Sequence, residues 1–217
     1  MDNFYGQQHL ALQAVFSSRE LGKRVQESIV VPEFTDAHRA FIEQRDMFFL
    51  STIDHRGYPT CSYKGGNPGF VKVLDAKTLA FPNYDGNGMF LSMGNIVANN
   101  KIGMLFIDFE TPQRVRVHGE AKVLLDGPLM EMFPAAHLVV QVALTEAFVN
   151  CPRYIHKYQR VATSKYVPQP DKNAPIPEWK RIEGLQEALP EHERQTVEAM
   201  GTITPEEYAE LVMKGEG

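Results

Sequence analysis

The stretch CSYKGGNPGF, residues 61–70, carries side chains suited to binding an anion. Successive side chains of an extended strand point to opposite faces, so Thr60, Ser62 and Lys64 share one face and Tyr63 points to the other. Hydroxyl and ammonium groups on one face, followed by the unhindered amides of two glycines, are donors without a matching acceptor. A phosphate would supply that acceptor. The alternative, which the sequence leaves open, is an ordinary exposed lysine at a strand end.

A second donor-rich stretch is FPNYDGNGMFLSMGNI, residues 81–96. A strand, a glycine-rich turn and a helix start present backbone amides and a positive dipole end to an anion. A dinucleotide fingerprint is not expected, because its third glycine would fall at Leu91 and no βαβ unit surrounds it. Asparagines in such turns also serve simply as turn and cap residues. The side chains able to contact a phosphate or a heterocycle edge are Asn83, Asn87, Ser92 and Asn95.

Two further stretches carry charged or nucleophilic side chains. Arg114 and Arg116 lie on the polar face of a predicted long strand, where they would bind a phosphate or anionic ring, or pair with carboxylates on neighbouring strands. The stretch EAFVNCPRYIHKY, residues 146–158, contains Cys151, for which the sequence offers no positioned base, so a packing role is the better interpretation. The histidines show no metal-ligand spacing, so no metal site is predicted. The remaining candidates from this stretch are Arg153, Tyr154 and His156.

The elements that must position these residues are short strands preceded by helices. Residues 17–29 predict a helix capped by Ser17, and Thr35 is expected to cap the next one. Residues 113–125 alternate apolar and polar over a dozen positions, which predicts a long half-exposed strand. Residues 151–161 are expected to form a helix, and Thr204 to cap a C-terminal one. About seven short strands with few intervening helices favour an antiparallel barrel with helices added at its ends.

Composition excludes several classes of protein. The chain has 217 residues, 43% of them hydrophobic, and a net charge of −5 without a long basic run, so nucleic-acid binding is not expected. No apolar run is long enough for a membrane span, and the N-terminus does not have the pattern of a signal peptide. Two distant cysteines do not suggest a disulfide framework, so a reducing cytoplasm is the expected location.

Taken together, the motifs resemble those of the FMN-binding split β-barrel proteins, the pyridoxamine 5′-phosphate oxidase-like superfamily, and more narrowly its predicted flavin-nucleotide-binding branch. The resemblance covers residues 4–179 and rests on FFLSTIDHRGYPTCS, GNPGFVKVLDAKTLAFPNYDGNG, NIVANNKIGMLFI with QRVRVHGEA, and EAFVNCPRYIHK. It implies a mainly β (α+β) fold, an antiparallel split β-barrel with flanking N- and C-terminal helices. The domains expected are a helical extension (1–46), an FMN-binding core (47–167) and a proline-rich arm with a helix (168–217).

The resemblance also implies a homodimer with FMN at the subunit interface. Carried over by position, the cofactor-binding residues are Ser62, Tyr63, Lys64, Asn83, Asn87, Ser92, Asn95 and Arg114, with Arg153, Tyr154 and His156 supplied by the partner subunit. Tyr63, Tyr154 and His156 are also the candidates for proton donors, and no catalytic residue is assigned.

Some residues differ from the pattern of true pyridoxamine phosphate oxidases, and these differences bear on the expected activity. True pyridoxamine phosphate oxidases carry phosphate-binding arginines where this chain has Asn87 and Gly88, and PEWKRIEGL offers no match for their substrate-binding arginine and histidine. Oxidation of vitamin B6 is therefore not expected. The prediction is an FMN-dependent oxidoreductase of unknown substrate. The alternatives are a non-catalytic flavin-binding or sensing protein, or the same barrel binding haem or a deazaflavin.

Overall fold

The computed structural model describes residues 4–169 and 174–217. The chain divides into two compact units, Met1–Val161 and Ala162–Gly217. The predicted division into 1–46, 47–167 and 168–217 stays a prediction. In the described residues the strands are β1 (Val30–Val31), β2 (Met47–Ile53), β3 (Pro59–Gly65), β4 (Lys72–Asp75), β5 (Thr78–Asn83), β6 (Lys101–Asp108), β7 (Gln113–Leu124) and β8 (Leu138–Val149). The α-helices are α1 (Gln7–Val15), α2 (Arg19–Ile29), α3 (Asp36–Glu43), α4 (Leu91–Ala98), α5 (Pro128–Glu131), α6 (Glu191–Met200) and α7 (Pro205–Lys214).

The first unit is built on one antiparallel sheet of eight strands. Its order is β3-β2-β6-β7-β8-β5-β4, with β1 added on β8. The inner face encloses a core in which the ring of Phe48 lies 5.0 Å from that of Phe81 and 5.1 Å from that of Phe106. This architecture confirms the predicted fold class, a mainly β (α+β) antiparallel split barrel with helices before and after it in the chain.

The alternating pattern of β7 predicted its faces correctly. Val115, Val117 and Ala121 are buried in the core, while the polar side chains between them point outward. The pairing of β7 with β8 shifts between His118 and Gly119, where β8 bulges and Thr145 is the extra residue. A Cβ at Gly119 would lie 2.5 Å from the carbonyl oxygen of Ala143 on β8, so the close approach of the two strands at this bulge requires glycine.

Two helix caps were predicted correctly and one was wrong. The amide of His38 donates to Thr35 Oγ1 at 3.2 Å at the start of α3. At the start of α7, Thr204 and Glu207 form a reciprocal capping box. Ser17 does not cap α2, because it has φ +53° in the turn after α1 and the N-cap is Ser18.

The helix predicted over residues 151–161 is wrong. The segment makes one turn, in which the amide of Ile155 donates to the carbonyl of Pro152, and Tyr154 takes φ +71°, which an α-helix cannot accommodate. Its later residues are held by distant partners instead, such as the carbonyl of Phe109, which accepts from the amide of Tyr158. Tertiary contacts have therefore overridden the local helical preference.

The second unit contains two 3₁₀ helices, Glu178–Arg181 and Gln186–Ala188, besides α6 and α7. A parallel bridge joins Ile182 to Ile203, and the buried ammonium of Lys180 lies 2.7 Å from the carboxylate of Glu193. Sequence reasoning did not predict α6. Among the helices in the described parts of both units, none has the length and apolar character needed to cross a membrane.

Candidate functional site

A polar seam joins β3 to α4, and we define this β3–α4 seam as Thr52, Thr60, Ser62, Ser92 and Asn95. The hydroxyls of Ser62 and Ser92 lie 3.0 Å apart. The side-chain amide of Asn95 donates to the hydroxyl of Thr52 at 3.0 Å and to that of Thr60 at 3.3 Å, and these two hydroxyls lie 2.7 Å apart. The fold thus brings Ser62 of β3 together with Ser92 and Asn95 of α4, which lie about thirty positions later in the sequence.

The two halves of the seam, Asn95 with its threonines and the pair Ser62 and Ser92, differ in the number of hydrogen-bond donors that remain available to a ligand. Asn95 is buried and its amide is used by Thr52 and Thr60, so it fixes α4 on the sheet. Ser62 and Ser92 share one hydrogen bond, which uses one of their two hydroxyl hydrogens. The second hydrogen has no acceptor among the residues that the structure describes. The serine pair can therefore donate to a bound group.

Lys64 extends this donor set along the same face of β3. It pairs in register with Phe48, which is fully buried, so its side chain starts on the core side of the sheet. Burial lowers the pKa of its ammonium group. In the described chain Lys64 makes no hydrogen bond and no ion pair. A partly desolvated cation without a counter-charge is unfavourable, and a bound anion would relieve that cost.

The first turn of α4 adds backbone donors close to the serine pair. Phe90 precedes the helix in the left-handed conformation, with φ +47°, and no side chain caps the turn. The amides of Leu91, Ser92 and Met93 therefore have no intrahelical acceptor, and the helix dipole favours negative charge there. Lysine, serine hydroxyls and a free helix start together form a donor set that fits a phosphate.

The two glycines after Lys64 accommodate rings of this chain itself. A Cβ at Gly65 would lie 2.8 Å from Cε1 of Tyr63, and one at Gly66 would lie 2.5 Å from Cγ of Phe70. Tyr63 lies on the face of β3 away from Lys64, where its ring packs edge-on against Phe49. The space beside both glycines is therefore occupied by aromatic rings of this chain.

The asparagines of the glycine-rich turn serve local structure. Asn83 donates through Nδ2 to the carbonyl of Tyr84 at 3.2 Å. Asn87 is exposed, and its Oδ1 accepts from the amide of Met89 at 3.1 Å. These contacts match the turn roles that the sequence left open for them. Neither residue contacts the β3–α4 seam through a side-chain hydrogen bond in the described chain.

A second group of predicted residues lies at and beyond the end of β8. Arg114 alternates with the buried Val115 and so points to the outer face of the sheet, and its Nε is buried without a hydrogen-bond partner among the described residues. The guanidinium of Arg153 lies 5.8 Å from the ring of Tyr154. His156 is exposed. In the described chain no side-chain hydrogen bond or ion pair joins any of these four residues to the β3–α4 seam.

Cys151 belongs to this second group and is more than a packing residue. Its thiol is exposed. Hydrogen bonds from the backbone and side chain of Arg153 lower the pKa of this thiol, desolvation opposes them, and the charges of Arg153 and Arg114 lower the pKa further. A thiol with a lowered pKa is more reactive at neutral pH. Because the thiol is exposed, the packing role predicted from the sequence is wrong.

Sequence reasoning missed Thr52 as a partner of Asn95 and missed the pair formed by His118 and Glu146. Nδ1 of His118 lies 2.9 Å from Oε1 of Glu146, on the outer face of the sheet. Neither contact has a local signal, because each joins residues at least 28 positions apart in the chain. In the described residues no group of three or more histidine, cysteine, aspartate or glutamate side chains is arranged to hold a metal.

The sequence itself shows the family to which this chain belongs. Residues 34–161 match the family model of pyridoxamine 5′-phosphate oxidase. Because the match covers more than half of the chain, the protein belongs to this family, and the relationship inferred from the motifs is confirmed. None of the curated proteins matches the chain significantly.

Several solved structures are similar to this chain. A putative pyridoxamine 5′-phosphate oxidase from Lactobacillus delbrueckii has 23% identity and a TM-score of 0.44, covering 54% of this chain and 95% of that chain. HupZ from Group A Streptococcus has 19% identity and a TM-score of 0.46, covering 58% and 99%. An FMN-binding protein from Syntrophomonas wolfei has 13% identity and a TM-score of 0.41, covering 65% and 97%.

Proposed function

We propose that this protein binds FMN and holds the cofactor's phosphate with Lys64, the hydroxyls of Ser62 and Ser92, and the first-turn amides of α4. The observation that carries the proposal is Lys64, a partly desolvated ammonium group without a counter-charge in the described chain. Membership of the pyridoxamine 5′-phosphate oxidase family supports a flavin as the bound group.

The activity proposed is that of a flavin-dependent oxidoreductase of unknown substrate. When bound, the flavin would supply electron or hydride transfer. The residues of this chain would contribute binding and orientation, since the β3–α4 seam holds hydroxyls and an amide but no carboxylate or histidine. We propose no catalytic residue. Two free, exposed cysteines support a reducing cytoplasm as the location.

We further propose that the protein is a homodimer in which each cofactor contacts both subunits. Arg114 points to the face of the sheet opposite the seam, and no hydrogen bond joins Arg153, Tyr154 or His156 to the seam in the described chain. A twofold arrangement would let Arg153, Tyr154 and His156 of one protomer contact the cofactor held by its partner. The buried Nε of Arg114, which lacks a partner in the described chain, supports an additional ligand there.

The first experiment is a visible spectrum of the purified protein with identification of any ligand released on denaturation. Released FMN supports the proposal. A colourless protein that takes up no added FMN would refute it, and a haem or deazaflavin spectrum would assign one of the alternative cofactors.

A second experiment separates turnover from binding alone. The FMN-loaded protein is mixed anaerobically with a reduced nicotinamide nucleotide, and bleaching of the flavin band is followed. Reduction supports an oxidoreductase. If neither nicotinamide nucleotides nor dithionite-reduced donors pass electrons to the flavin in a turnover assay, the oxidoreductase proposal is refuted. The protein is then a non-catalytic flavin-binding protein.

A further inference from the structure

The N-terminal helices α1 and α2 form a hairpin that has polar residues in the contact between the helices and apolar residues on its surface. Their contact is made by small and polar residues, since a Cβ at Gly22 would lie 3.0 Å from Nε2 of Gln13. Ser18 and Gln26 are likewise half-buried. Neither helix has a fully buried residue. The apolar side chains, which would normally fill such a contact, point away from it.

The exposed side of this hairpin carries five large apolar side chains. They follow helical spacing on both helices, so each helix presents an apolar stripe, and Phe16 at the turn lies between the two stripes. Each is between 42% and 75% exposed. We call them the hairpin stripe: Leu12, Val15, Phe16, Leu21 and Val25.

The size of the hairpin stripe fits one side of a protein interface. Five side chains with this exposure present roughly 500–600 Å² of apolar surface, at the upper end of what monomeric proteins expose in one patch. A standard interface buries about 800 Å² per partner, of which about 60% is apolar, or about 480 Å². Helices of this length are also marginal alone, so burial of the stripe would stabilise them.

The charges beside the hairpin stripe indicate which partner fits. On α2 the guanidinium of Arg24 lies 2.8 Å from Glu20, and the ammonium of Lys23 lies 3.9 Å from Glu27. Both signs are therefore present beside the stripe, so two copies can approach about a twofold axis without net charge repulsion. An anionic membrane would favour a lysine- and arginine-rich polar face, and a chain of net charge −5 opposes that attraction.

We infer that the hairpin stripe is a docking surface for the hairpin of a second copy of this chain. Two stripes pack against each other about a twofold axis, and the charged residues of α2 form the polar rim. This inference does not depend on flavin binding, because the hairpin contains none of the residues proposed to hold FMN.

The test compares the self-association of three full-length proteins by sedimentation equilibrium and light scattering. Phe16→Glu combined with Leu21→Glu places two charges in the stripe, and Ala14→Glu introduces a charge at an exposed position of α1 outside it. The stripe variant is expected to weaken the association step that the stripe mediates at least tenfold, and the control to leave it within twofold. That step is dimerisation, or the further association of dimers where the dimer proposed around the cofactor already forms. Circular dichroism verifies that each variant is folded.

Three results would overturn the inference. One is a wild-type protein that stays monomeric at 100 micromolar concentration or above, which is roughly the range of weak complexes. Another is equal self-association of the stripe variant and the control. The third is binding to vesicles of phosphatidylcholine and phosphatidylserine by the wild type but not by the stripe variant, which would assign the stripe to a membrane.

Hydrogen exchange provides a second measurement. The amides of α1 and α2 should exchange more slowly with solvent as the protein concentration rises. Exchange rates that do not depend on concentration would also contradict the inference.

Discussion

Replacing Lys64 by methionine should change flavin affinity and protein stability in opposite directions. Methionine keeps the length of the side chain and removes its charge. If the ammonium group binds the FMN phosphate, its loss removes a charge-assisted hydrogen bond worth about 1.5–3 kcal/mol, so the dissociation constant should rise about 10- to 100-fold. The protein without cofactor should be as stable as the wild type or more stable, because a desolvated charge without a counter-charge is gone.

The pH dependence follows from the lowered pKa of Lys64. A lysine whose folded-state pKa lies below its unfolded value destabilises the fold most where both states are charged, and this penalty fades as pH rises towards the unfolded value. The stability advantage of Lys64→Met should therefore shrink between neutral pH and about pH 10. FMN affinity of the wild type should fall over the same range, because only the charged form binds phosphate well.

Fluorescence titration with FMN and urea denaturation of the cofactor-free protein measure the two effects. The matched control is Lys122→Met, which removes the same charge from an exposed position on β7. It should alter stability by less than about 0.5 kcal/mol and leave FMN affinity unchanged. A Lys64→Met protein that binds FMN like the wild type, or whose cofactor-free form is clearly less stable than the control, would refute the assignment.

Other features give shorter tests. Asn95→Ala removes two buried hydrogen bonds and should destabilise the fold by about 1–3 kcal/mol in urea denaturation, whereas Asn100→Ala at an exposed position should have little effect; equal effects would contradict the structural role of the seam. Gly119→Ala forces a Cβ into the facing backbone and should cost about 1–3 kcal/mol or more, and a neutral result would argue against the bulge. Cys151 should react with iodoacetamide faster than Cys61 at pH 7, as peptide mass mapping can measure, and equal rates would mean that the nearby arginines do not activate it.

The parts of the fold that sequence predicted well depend on local pattern. Strand alternation identified the buried face of β7 because each side chain's position follows from the backbone repeat. The caps at Thr35 and Thr204 depend on residues three positions apart, so their spacing is visible in the sequence. The helix expected at 151–161 failed because the contacts that hold this segment come from residues far along the chain.

The sequence predicted which stretches carry candidate site residues, but it did not predict which of these residues contact each other. Ser62 and Ser92 were each chosen for their chemistry, yet only the fold shows that their hydroxyls meet. The sequence left two roles open for Asn83, Asn87 and Asn95, since an amide near glycines suits a ligand and a turn alike, and only the fold distinguishes between them. Lys64 forms no ion pair with a carboxylate in the described chain, and only the folded structure can show this.

The position of β3 at the end of the sheet has a consequence for aggregation. In the described chain β3 pairs only with β2, so its other edge presents backbone donors and acceptors that could recruit a strand from another molecule. Pro59 at its start and the core-side charge of Lys64 are features that discourage such edge-to-edge growth. A more apolar side chain in place of Lys64 is therefore expected to increase edge-to-edge association, in addition to any loss of phosphate binding.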